Sequence, residues 1–97
     1  MQRHFNLFGG RLWKDLTELD RVLWIIREVE YFISINSMEA GFELTSRIMS
    51  NDDTPQNFRE LGYILQKYIS GENDIDLSIL PKEFADILRS ESKINKI

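Results

Sequence analysis

The feature that most constrains the fold of this chain is the spacing of its apolar residues between residues 12 and 35. They recur at intervals of three or four, at Leu12, Leu16, Leu19, Leu23 and Ile26. This spacing places them on one face of an α-helix, so we predict a long helix with Thr17 and Asp20 as a capping arrangement near its start. Two helices in this stretch, or a strand around the β-branched and aromatic residues 25–33, are the alternatives.

Caps, prolines and glycines predict further helices. Asn36-Ser37 indicates the start of a second helix, which ends near Asn51. Thr54-Pro55 indicates a third start, with proline in the first helical position, where its missing N–H costs nothing. Gly71 is placed just after the end of that helix, and Pro81 opens a fourth.

The length and composition of the chain indicate a single domain. Its 97 residues include 42% hydrophobic and 29% charged side chains, which is ordinary for a globular protein. A chain of this mass buries about 65% of its unfolded surface, which is enough for one core. We therefore predict an all-α fold, a compact bundle of about four helices over residues 1–97. Residues 1–10 form an N-terminal segment, and residues 90–97 form a tail that either complements a helix C-terminus or frays.

The residue types present argue against catalysis. The chain has no cysteine, which excludes disulfides and thiolate metal sites. Its one histidine, His4, has no local group to orient it as a general base, and we expect it to be exposed. No Gly-x-Ser-x-Gly turn or glycine-rich phosphate loop is present. We therefore predict that the protein is not an enzyme and binds no cofactor and no metal.

The charge and hydropathy patterns bear on partners and location. No apolar run approaches the roughly 18–20 residues that a membrane span needs, and no secretory signal follows Arg3 and His4, so we expect a cytoplasmic protein with no membrane partner. With 12 basic and 16 acidic residues, the net charge is −4. Direct nucleic-acid binding is therefore not expected, and a basic protein partner is favoured.

Acidic residues concentrate in two predicted connections, at Asp52, Asp53, Glu72, Asp74 and Asp76. Clustered carboxylates suit a protein that covers a basic cleft on a partner. The alternative is that they serve solubility and helix capping. Residues 72–83 also have the oxygen ligands of a calcium loop in part, but Leu77 stands where that loop needs glycine and Pro81 falls inside it.

Two aromatic residues, Trp24 and Tyr63, are candidate anchors for a partner. Trp24 and Tyr31 lie seven residues apart on the predicted long helix and are suited to form an exposed aromatic edge, or to pack in the core. Tyr63, on the third helix, is the second candidate anchor.

The chain resembles the small all-helical immunity proteins of bacterial toxin systems, such as contact-dependent growth inhibition and nuclease colicins. The resemblance lies in its size, acidity, lack of cysteine and helical pattern, and in the helix start Met38-Glu39-Ala40-Gly41-Phe42-Glu43-Leu44 followed by acidic connections. It implies an immunity or antitoxin protein that binds a basic toxin domain, often a nuclease, one-to-one and occludes its active site or substrate groove. No site residue transfers by position.

Two functions of other classes remain open. An acidic regulatory protein would sequester a DNA-binding protein by presenting DNA-like spacing of negative charge. A helical homodimeric interaction subunit would associate through the aromatic face and need no other partner.

Overall fold

A computed structural model describes residues 15–72 and 74–93, and these residues form four α-helices and no strand. The helices are α1 (Glu18–Ser34), α2 (Met38–Ser50), α3 (Gln56–Ile69) and α4 (Lys82–Glu91). The predicted all-α bundle is confirmed. Within the described residues α1 is one uninterrupted helix, so the strand alternative is wrong. The predicted N-terminal segment with His4, and the end of the tail after Lys93, lie outside the described residues.

The start of α1 has the predicted capping box. The Thr17 Oγ1 accepts the Asp20 N–H at 3.1 Å, and the Asp20 carboxylate accepts the Thr17 N–H at 3.4 Å. Each side chain thus satisfies a backbone donor that the first helical turn leaves without an intrahelical partner. Aspartate takes the place of the more usual glutamate in this arrangement.

The end of α1 depends on a residue that the sequence analysis assigned to the next helix. Asn36 has a φ of 61°, in the left-handed region that asparagine tolerates better than most residues. The Asn36 N–H donates to Ile33 O at 3.0 Å, and the Ser37 N–H donates to Phe32 O at 2.7 Å. This is a Schellman ending. Ser37 does occupy the N-cap of α2, but its side chain makes no capping hydrogen bond.

α3 ends as predicted and starts one residue later than predicted. Gly71 has a φ of 103°, and the Gly71 and Glu72 N–H groups donate to Tyr68 O and Lys67 O. Glycine adopts this conformation without steric cost. At the other end, Pro55 occupies the N-cap rather than the first helical position. Pro81 likewise occupies the N-cap of α4.

α2 and α3 pack antiparallel and in close contact. A Cβ at Gly62 would lie 2.9 Å from Met49 Cγ and 3.3 Å from Thr45 O, so only glycine fits there without a shift of its neighbours. Thr45 is fully buried, and its hydroxyl bonds back to Gly41 O at 3.0 Å. This interface orients α3 against α2.

α4 runs parallel to α3. The Phe58 and Phe84 rings, near the starts of the two helices, meet edge to face with centroids 5.4 Å apart. The Tyr68 hydroxyl, near the end of α3, accepts the Lys93 N–H just beyond the end of α4. The chain between residue 72 and residue 81 must therefore run back along the bundle, and we call it the return segment.

The return segment contributes to the core, although its first part was predicted only as an acidic connection between helices. Its apolar side chains are buried, at Ile75, Leu77 and Leu80. They join the apolar faces of α1, α3 and α4 in one hydrophobic cluster. No helix in the described part of the chain is long and apolar enough to cross a membrane.

Candidate functional site

The predicted acidic contact residues are all exposed, at Asp52, Asp53, Glu72, Asp74 and Asp76. None of them forms an ion pair with another residue that the structure describes. Other carboxylates do form such pairs, namely Glu43 with Arg47, Asp86 with Lys82 and Glu91 with Arg27. The five predicted residues therefore carry negative charge that no described cation offsets by direct contact.

The structure does not bring these five residues to one end of the bundle. Asp52 and Asp53 precede α3, and Glu72 follows it. The 14 residues of α3 extend about 21 Å, so these groups lie at opposite ends of that helix. Asp74 and Asp76 lie on the return segment, where they alternate with the buried Ile75 and Leu77. Asp52 and Asp53 are thus separated from Glu72 by the length of α3.

Asp76 has a local structural role as well. Its carboxylate accepts the Ser78 N–H at 2.9 Å. The backbone and side-chain hydrogen bonds from Ser78 lower the pKa of Asp76 below its ordinary value. The carboxylate is therefore ionised at neutral pH. It also shapes the turn that leads into α4.

The calcium-loop alternative gains no support from this geometry. Among the residues that the structure describes, no group of three or more histidine or carboxylate side chains is placed to hold a metal ion. Asp74 and Asp76 flank the buried Ile75, and Asp76 precedes the buried Leu77, so the backbone between the two carboxylates is anchored to the core. A calcium loop must instead curl around its ion.

The two candidate aromatic anchors differ in environment. Trp24 is partly buried and packs against the hydrophobic core, so its position matches the core alternative more closely than an exposed edge. Tyr63 is 48% exposed, and the Lys67 Nζ lies 4.9 Å from the centre of its ring. Of the two, only Tyr63 presents a large aromatic surface to solvent.

One acidic residue, Asp53, lines a cleft that the sequence analysis did not predict. The cleft has a volume of about 240 Å³ and lies where α1, the end of α2 and the start of α3 meet. Its walls are Arg21, Ile25, Ile48, Asn51, Asp53, Thr54, Pro55 and Phe58. The residues come from separate helices, so no local pattern in the sequence marks the cleft.

The rim of the cleft is held in place by hydrogen bonds. The Arg59 guanidinium donates to Thr54 O at 3.1 Å and to Asn51 O at 2.9 Å. The Asn51 side-chain oxygen accepts the Asp53 N–H at 2.9 Å. These bonds fix the backbone of the connection that carries Asp53.

A second polar contact missed by the sequence analysis joins Tyr68 to Glu30. The half-buried Tyr68 hydroxyl donates to the Glu30 carboxylate. Burial raises the pKa of Tyr68 to about 12, the hydrogen bond to Glu30 adds to this effect, and the Lys93 N–H opposes it. With a pKa this high the phenol stays neutral at physiological pH, so the contact stabilises the bundle rather than providing a proton for chemistry.

Comparison with known proteins adds no relative. No protein-family model matches the chain, and neither a curated protein nor a solved structure matches it significantly.

Proposed function

We propose that this protein is an immunity or antitoxin protein, which binds a basic toxin domain one-to-one and neutralises it by covering its active site or substrate groove. The observation that carries the proposal is the set of exposed carboxylates without ion-pair partners among the described residues, at Asp52, Asp53, Glu72, Asp74 and Asp76. The toxin domain we favour is a nuclease, because its substrate groove must itself be basic.

The charge of the protein favours such an association. The chain carries a net charge of −4, and complementary charge speeds the encounter of two proteins. Exposed carboxylates that pair with no cation in the described part of the chain can meet a basic surface without breaking one of the observed salt bridges. Tyr63 supports the proposal as an exposed aromatic side chain of the type that dominates binding energy at interfaces.

The proposed action requires no catalysis, cofactor or metal in this chain. Inhibition by occlusion needs only a stable surface of fitting shape and charge. The helical bundle supplies a rigid support, and the Arg59 hydrogen bonds hold the connection that bears Asp52 and Asp53. We place the action in the cytoplasm, where a nuclease domain meets nucleic acid.

The test is a tagged pull-down from host lysate at low and moderate salt, followed by an activity assay of the recovered protein. We expect a basic protein in one-to-one ratio, recovered less as the salt concentration rises. Adding the purified chain back should abolish the nuclease activity of that protein at equimolar concentration. Recovery of a DNA-binding protein without toxic activity would favour the regulatory alternative instead.

Charge-reversal variants identify the surface that acts. We compare Asp52→Lys/Asp53→Lys with Asp74→Lys/Asp76→Lys, and we use Glu39→Lys/Glu83→Lys, on α2 and α4, as a control with the same change in net charge and no described ion pair to break. At least one of the first two variants should slow association and reduce its salt dependence, and the control should do so much less. Equal effects of all three variants, or a dimer of the chain with no partner, would contradict the proposal.

A further inference from the structure

We draw no further inference here: the strongest candidate, the cleft between α1, the end of α2 and the start of α3, is lined by side chains of both charges at Arg21 and Asp53, and nothing in the structure shows what covers it.

Discussion

The hydroxyl of Tyr68 on α3 donates a hydrogen bond to the carboxylate of Glu30 on α1. The same oxygen accepts the Lys93 N–H at 3.2 Å, just beyond the end of α4. One phenol therefore joins three parts of the bundle that are far apart in sequence. Because the contact is half-buried, its loss leaves the Glu30 carboxylate with poorer solvation than it has in an unfolded chain.

Replacing Tyr68 with phenylalanine should destabilise the protein by about 1–3 kcal/mol, because a partly buried carboxylate loses its donor. Urea unfolding followed by circular dichroism measures the change in the free energy of unfolding. Tyr63→Phe is the matched control, since its exposed hydroxyl makes no hydrogen bond with a described residue. Equal stability of the two variants would show that the Tyr68 contact contributes nothing.

The raised pKa of Tyr68 predicts a loss of stability at alkaline pH. Its pKa is 10.0 in the unfolded reference and about 12 in the folded protein, so the folded state holds the proton more tightly. This contribution is complete below about pH 10 and is lost as the pH rises through about 12. We expect the free energy of unfolding to fall more between about pH 9 and 11.5 in the natural chain than in Tyr68→Phe.

Spectroscopic titration provides an independent check of that pKa. The chain has 3 tyrosines, and the absorbance of tyrosinate reports their ionisation. We expect a late step that is absent from Tyr68→Phe and present in Tyr63→Phe. Loss of the late step in Tyr63→Phe instead would show that the raised pKa belongs to Tyr63 and not to Tyr68.

The capping box of α1 predicts a difference between two similar substitutions. Thr17→Ala should lower the free energy of unfolding by about 1 kcal/mol, because the Asp20 N–H loses its acceptor. Ser37→Ala, at the N-cap of α2, should cost much less, since Ser37 makes no side-chain capping hydrogen bond. Thermal or urea unfolding compares the two. Thr17→Ser should retain most of the stability, and a cost equal to that of Thr17→Ala would contradict the hydrogen-bond explanation.

The contact of α2 with α3 predicts that Gly62→Ala destabilises the protein. Alanine gains about 1 kcal/mol in helix propensity, but overpacking costs about 1–3 kcal/mol, so we expect a net loss of up to about 2 kcal/mol. Met49→Ala removes the nearest side-chain obstacle, and the double variant should be more stable than the sum of the single effects predicts. Stabilisation by Gly62→Ala alone would mean that the helices separate at little cost.

Much of the helical structure was predictable because its signals are local. The Thr17 cap, the end of α2 near Asn51 and the glycine after α3 each depend on residues within one turn of each other. Asn36 was assigned to the wrong helix end because asparagine is favoured both at N-caps and in the left-handed conformation that ends a helix. Short-range preference alone does not separate these two uses.

The candidate site was less predictable because it depends on contacts between distant residues. Exposure of Asp52 and Asp53 follows from their polarity, but the cleft beside Asp53 requires walls from three helices. Glu30 and Tyr68 are 38 residues apart, and no periodicity connects them. The apolar residues of the return segment alternate with acids, which resembles a polar loop until the core that buries them is known.

The return segment sets a lower limit on the length of this connection. To lead from the end of α3 back to the start of a parallel α4, the chain must cover about 21 Å, and an extended residue spans about 3.3 Å. Six or seven extended residues are therefore the minimum by this estimate. Residues 72–81 exceed it by about three or four, and the turn in which the Leu80 N–H donates to Leu77 O takes up part of that excess. Natural variants of the protein should tolerate insertions here more readily than deletions of more than about three residues. A shorter connection would force α4 to turn over and would separate Phe84 from Phe58.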